Sequence, residues 1–231
     1  MKELSSSQDF EKAAKIRDQI MALEKVLSHA KIFEATQESQ KIDWPQIQKI
    51  LQKILKTKAG ISRIEAYDIS NIQGQKATGS MVTFINGLPN KNFYRKFKIK
   101  ITGKPNDVAM IKEVLSRRFQ HSEWGFPDLI LIDGGKPQLN VAVNFKSQIP
   151  NSKHIKMMAL AKKRSVAEPR TKLRFGAGES KLFIENQKEP LLLKDFPREV
   201  FNLILQLRDE AHRFATVSYT HLRAHETGRN L

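Results

Sequence analysis

Arg63-Ile-Glu-Ala-Tyr-Asp-Ile-Ser-Asn-Ile-Gln-Gly74 decides how the rest of the chain is read. With a period of two, Ile64, Ala66 and Asp68 share one face of a strand and Tyr67 and Ile69 the other, so an apolar strand leads directly to a carboxylate. Dry and unpaired, that charge would cost several kcal/mol or take up a proton. Asp68 therefore calls for a cation, a donor or water beside it.

A second stretch ends the same way. Pro127-Asp-Leu-Ile-Leu-Ile-Asp-Gly-Gly135 is a continuous aliphatic run, the composition of a strand covered on both faces, and it stops at Asp133 before two glycines. If the two strands are parallel neighbours, Asp68 and Asp133 meet where strands give way to loops, the usual place for ligand sites in open α/β sheets. Two carboxylates about 4 Å apart repel by roughly 4 kcal/mol at an effective dielectric near 20. A divalent metal reverses the sign, and hard oxygen ligands favour Mg²⁺ or Mn²⁺.

Composition narrows the partners. The 231 residues suffice for one full core plus a small appendage. Forty Lys and Arg against 24 Asp and Glu leave a formal charge of +16, and a surface of that potential points to nucleic acid. No apolar run approaches a spanning length and nothing resembles a signal peptide, so neither a membrane partner nor export is expected. The absence of cysteine excludes disulfides, thiolate metal sites and cysteine nucleophiles.

Outward from the two Asp strands, Thr78–Ile85 is a strand closed by the hairpin dipeptide Asn86-Gly87. Asn92–Ile101 alternates Phe93, Arg95, Phe97, Ile99 and Ile101 against Tyr94, Lys96, Lys98 and Lys100, which predicts a third antiparallel strand. Its lysine row reads either as a phosphate contact or as a blunted, solvated sheet edge. Asn106–Phe119 is a helix with Asn106 as N-cap; Asp107, in its first turn, suits the helix dipole. Lys136–Phe145 is a helix entered through Gly134-Gly135, and Lys156–Ala161 a further strand. The basic run Lys162, Lys163, Arg164, Arg170, Lys172 and Arg174 is the patch to set against a phosphate backbone.

Lys181–Glu185 and Leu191–Leu193 read as a hairpin. From about Pro197 to Ala215 a long helix carries the core stripe Val200, Leu203, Ile204, Leu207 and Ala211, with His212 at its edge; a lone histidine there is more often a satisfied boundary residue than a ligand. At the other end, residues 4–27 repeat apolar side chains at helical spacing around a Ser5-Ser6-Ser7 break. That predicts a helical hairpin, either frayed or partner-binding. Residues 31–60 read as a polar linker carrying a helix from Trp44 to Leu55.

The motifs Ile64–Gly74, Gly79-Ser-Met-Val, Tyr94-Arg-Lys-Phe-Lys-Ile, Pro127–Leu139 and Leu207-Arg-Asp-Glu-Ala-His-Arg-Phe-Ala together resemble the C-terminal endonuclease domain of the UvrC family, the incision subunits of bacterial nucleotide excision repair. Phe10-Glu-Lys-Ala-Ala-Lys-Ile-Arg-Asp-Gln-Ile is similar to the UVR motif through which that family contacts UvrB. The resemblance implies a ribonuclease H-like α/β fold, a mixed sheet flanked by helices, over residues 61–215. It also implies a UvrB-binding hairpin over 1–30 that uses Phe10, Ala14, Arg17 and Asp18.

Matched residue by residue, Asp68, Asp133 and His212 fall on the family's catalytic and metal-binding set, and Asp107 on a further acidic position. The implied activity is hydrolysis of the damaged strand of double-stranded DNA on the 5′ side of a lesion, with Mg²⁺ or Mn²⁺, by a cytoplasmic and monomeric protein. Lys136, Lys162, Lys163, Arg164 and Arg170 are the expected nucleic-acid contacts. Whether His212 ligates the metal or moves a proton stays open. A non-catalytic adaptor that holds DNA and UvrB is the alternative.

Asn71 and Pro137 depart from the family pattern, and its GIY-YIG and helix-hairpin-helix segments are not found in the sequence. After Ala215 the pattern breaks off, so residues 216–231 read as foreign to the family and stand outside the fold argument, including the His221 and His225 pair.

Overall fold

The structure is a computed structural model that describes residues 43–70, 77–101, 106–150, 152–161 and 180–227, with backbone alone for residue 70 and residues 217–227. The chain divides into two compact units, 1–43 and 44–231. Apart from residue 43, everything described belongs to the second. The N-terminal hairpin with Phe10, Ala14, Arg17 and Asp18, and the basic residues Lys162, Lys163, Arg164 and Arg170, lie outside the described residues.

In chain order the elements are α1 (Trp44–Ile54), β1 (Arg63–Ser70), β2 (Thr78–Ile85), β3 (Leu88–Pro89), β4 (Arg95–Lys98), α2 (Asp107–Phe119), β5 (Leu129–Asp133), α3 (Lys136–Lys146), β6 (Lys156–Ala161), β7 (Lys181–Ile184), β8 (Leu191–Leu192) and α4 (Arg198–Thr227). The strands form one mixed sheet in the order β3-β2-β1-β5-β6-β7-β8, with β4 also paired to β2. β1, β5 and β6 are parallel, whereas β2, β4, β7 and β8 run antiparallel to their neighbours. This is the mixed sheet flanked by helices that the sequence resemblance implies.

Helices cover both faces. α2 and α3 bury Met110, Ile111, Val114, Leu115, Leu139 and Ala142 against Tyr67, Met81, Ile130, Ile132 and Met157. The opposite face carries α4, whose Val200, Leu203, Ile204, Leu207 and Ala211 are buried, and α1 adds Trp44, Ile47 and Leu51. At about 25 cal/mol per Å² of apolar surface buried, these two stripes carry most of the folding drive. Gly79 lets α2 approach the sheet closely: a Cβ there would stand 2.5 Å from Val114 Cγ2.

Two local expectations need correction. The third antiparallel strand is only Arg95–Lys98, because Lys91–Phe93 form a 3₁₀ turn. Tyr94 keeps the face of Lys96 but is buried there against Phe214 of α4 instead of lying in a solvated row, whereas Phe97 and Ile99 are buried on the opposite face. The last helix does not stop at Ala215 but continues to Thr227. The Asn86-Gly87 hairpin is as expected, with positive φ at both residues (49° and 82°), the requirement of a type I′ turn.

Candidate metal centre

Parallel pairing sets Ile64 beside Leu129 and advances in step to Tyr67 beside Ile132. One residue further on, Asp68 and Asp133 stand at the same level where the strands end. Both chains reach this rim as apolar strands, so the carboxylates are delivered by two rigid neighbours instead of loops. The third member arrives from the helical layer. α4 crosses the face that carries Ala66 and Asp68, with Ala211 buried against the sheet, and this turns His212, one residue on, toward the strand end.

One ligand atom from each of Asp68, Asp133 and His212 can be chosen such that all lie within 4.8 Å of one another. His212 Nδ1 is 3.2 Å from Asp68 Oδ2. Asp68 is buried, while Asp133 and His212 are half-buried, so the cluster opens to solvent on one side. The donors are carboxylate oxygens and an imidazole nitrogen at the mouth of the sheet. Such a set fits a hard or borderline divalent cation such as Mg²⁺ or Mn²⁺.

Ser80 fixes the helix at this level. Its hydroxyl sits 3.0 Å from the Ala211 carbonyl oxygen and 3.3 Å from that of Asp68, tying the two backbones that carry the site. Directly before Ala211 on α4, Glu210 is buried and accepts from Tyr94 Oη at 3.0 Å and from Arg213 Nε and Nη2 at 2.6 Å each. Burial, and then the adjacent Glu210 charge, push the Tyr94 hydroxyl well above its ordinary pKa, so it remains a donor.

Asp107 is outside the three-residue cluster. It is exposed at the first position of α2, where Asn106 Oδ1 caps the helix by accepting from Ala109 N at 3.0 Å. Arg118, near the end of α2, meets Glu65 early in β1, and Val114 meets Gly79, the partner of Ile69 late in β1. α2 therefore runs antiparallel to β1, and Asp107 projects toward the rim that carries Asp68. Lys136 opens α3 three residues after Asp133 and is exposed, its Nζ donating to the Lys188 carbonyl at 3.0 Å.

Reading by strand and helix period missed a buried ionic network on the other face. Glu65 and Arg118 are fully buried; Arg118 Nη2 donates to Glu65 Oε1 at 2.8 Å and Nε to Oε2 at 3.1 Å, while Tyr67 Oη donates to Oε2 at 2.7 Å. Arg63 adds bonds of 2.9 and 3.1 Å to Oε1, and Arg118 also reaches the carbonyls of His121 and Gly125. Burial works to discharge Arg118, but the hydrogen bonds and charge of Glu65 outweigh it and raise its pKa. The signal was legible: Arg118 occupies a core position of the α2 stripe, and Glu65 an interior strand position beside Tyr67. Two opposite charges in core registers call for each other.

Among the described residues no helix is long and apolar enough to cross a membrane.

The family model described as UvrC RNAse H endonuclease domain matches residues 52–216, and the UvrB/uvrC motif matches residues 1–26. UvrABC system protein C of Bdellovibrio bacteriovorus is 41% identical over 161 residues, covering 70% of this chain and 25% of that protein. Its counterpart in Trichlorobacter lovleyi is 36% identical over 171 residues, covering 73% and 28%. The chain thus spans about a quarter of the length of these curated relatives. A solved structure of human ENDOV overlies 76% of this chain and 98% of its own at 12% identity and a TM-score of 0.40. With the domain match running from α1 through the whole sheet to the His212 turn of α4, the chain belongs to the UvrC RNase H endonuclease domain family.

Proposed function

We propose that this chain is a metal-dependent DNA endonuclease that hydrolyses a phosphodiester of the damaged strand on the 5′ side of a lesion, and that residues 1–26 bring it to UvrB. The observation that carries the reading is the convergence of Asp68, Asp133 and His212 from β1, β5 and α4 in a chain of this family.

Asp68 and Asp133, with His212, would hold Mg²⁺ or Mn²⁺. When bound, such an ion offsets charge on a phosphoryl oxygen and makes a water more acidic. Asp68 and Asp133 are anchored by the sheet, so their spacing is set before the ion arrives. His212 Nδ1 is oriented by Asp68, which leaves Nε2 as the ring position for a proton or a ligand. Ser80 keeps the helix turn at that height, and the open side of the cluster admits a phosphate. Asp107, at the same rim but in the other layer, is proposed to assist without joining the donor set. Lys136, beside Asp133, and the Lys162, Lys163, Arg164 and Arg170 run are proposed to hold the DNA backbone. Phe10, Ala14, Arg17 and Asp18 are proposed to contact UvrB.

The test is nicking of a lesion-bearing duplex in Mg²⁺ or Mn²⁺ with UvrA and UvrB supplied. Asp68→Asn is expected to abolish incision while DNA affinity holds or rises, and Asp107→Asn to slow it by a smaller factor. Incision that survives Asp68→Asn would overturn the assignment. A chain that binds DNA and UvrB but never nicks would be an adaptor.

A further inference from the structure

One row of side chains crosses the sheet at the level of the metal centre. Asp68 pairs with Ser80, and Ser80 with Lys96; residues opposite one another across strands share a face. This row faces α4, and each member meets the same stretch of that helix. Asp68 lies 3.2 Å from His212, Ser80 3.0 Å from the Ala211 carbonyl, and Lys96 Nζ 4.3 Å from the centre of the Phe214 ring.

Charge is left over at the far end of the row. Glu210 commits both oxygens to Arg213 and one also to Tyr94. Lys96 makes no ion pair with a carboxylate among the described residues; its ammonium rests on an aromatic face with Arg213 nearby. Desolvation, and then the positive charge of Arg213, lower the Lys96 pKa from its ordinary value; the carboxylate at this end, Glu210, is paired with Arg213 and leaves one positive charge over. Lys96 and Arg213 are both exposed.

We propose that Lys96 and Arg213 form a seat for one backbone phosphate of the nucleic-acid strand. The inference rests on the endonuclease reading, because the strand lying over Asp68 and Asp133 is the one that would continue over β2 to β4. Two strand spacings separate Asp68 from Lys96, about 10 Å. At roughly 3.4 Å of axial rise per nucleotide, the seated phosphate is about three nucleotides from the bond cut. Phe214 under Lys96, and Tyr94 with Glu210 behind Arg213, hold both cations before the strand arrives, so less side-chain freedom is lost on binding.

The experiment measures binding of a fluorescein-labelled duplex to the full chain carrying Asp68→Asn, so that nothing is cut, over a series of salt concentrations. Adding Lys96→Gln is expected to weaken binding about 3–10-fold and to reduce the slope of log affinity against log salt by about 0.9, the loss of one phosphate contact. Lys96→Arg retains both, and Lys112→Gln, on exposed α2 in the other layer, changes affinity less than about 2-fold. Lys96→Gln indistinguishable from Lys112→Gln overturns the seat. That outcome leaves the endonuclease reading standing if the Asp68-intact chain still nicks in Mg²⁺ or Mn²⁺. Loss of the slope at Lys96 in a chain that never nicks keeps the seat and removes the endonuclease.

Discussion

His212 Nδ1 and Asp68 Oδ2 lie 3.2 Å apart although 144 residues of chain separate them. The contact joins the last turn of buried α4 surface to the end of β1, and it allows His212 two roles at the same place: a ligand beside Asp68, or a proton carrier oriented by it. As a ligand, its removal in His212→Ala should weaken Mn²⁺ binding, read by electron paramagnetic resonance, about 10–100-fold. Unchanged Mn²⁺ affinity together with loss of the acid limb of the pH–rate profile would assign proton transfer instead.

The Glu65–Arg118 pair is expected to dominate sensitivity to core mutation. Arg118→Leu leaves the Glu65 carboxylate buried with only Tyr67 and Arg63, and removing one partner of a buried pair costs about 3–5 kcal/mol. For a unit of this size that is a melting-temperature drop of roughly 6–20 °C. Glu65→Leu combined with Arg118→Leu should recover part of the loss, since the fully buried carboxylate leaves with its partner, while Arg63 and the Tyr67 hydroxyl lose an acceptor. A double variant no more stable than Arg118→Leu alone would refute this account.

Gly79 tests the packing of α2 on the sheet. Its Cβ would lie 2.5 Å from Val114 Cγ2 and 3.3 Å from Ile69 Cδ1, and valine in a helix has little rotamer freedom to yield. Gly79→Ala should cost about 1–3 kcal/mol in denaturant unfolding, and Val114→Ala in the same chain should relieve part of it. If the two changes simply add, the contact is not the cause.

Alkaline pH should unfold the domain early. Burial first, and the neighbouring carboxylates second, raise Tyr67 (with Glu65) and Tyr94 (with Glu210) above their ordinary value of 10.0. The folded chain therefore keeps these protons where the unfolded chain releases them. The stability so contributed is fully present below the unfolded value and declines as pH rises above it. Denaturant midpoints measured from about pH 8 to about pH 11 should fall, and Tyr67→Phe with Tyr94→Phe should flatten that fall. Equal slopes in wild type and double variant would exclude the tyrosines as its source.

Most of the fold was readable locally. The alternation around Asp68, the aliphatic run ending at Asp133, the Asn86-Gly87 turn and the α4 stripe each report which side of one element is buried, and burial periodicity is a property of neighbours in sequence. Tyr94 shows where that stops: it shares a face with Lys96, as the alternation has it, but is buried because α4 sets Glu210 and Phe214 over it, and nothing within the strand marks that cover.

By itself the sequence determined the strand and helix order, the two carboxylates at strand ends, the excess positive charge and the family motifs. The family motifs implied that Asp68, Asp133 and His212 meet; only the tertiary structure decided which other charges do: Glu65 with Arg118, Lys96 beside Arg213. The reason is physical. A side chain's face follows from its own few neighbours, but its partner depends on inter-strand register and on how far along a helix lies against the sheet, and both are set by the packing of the whole core.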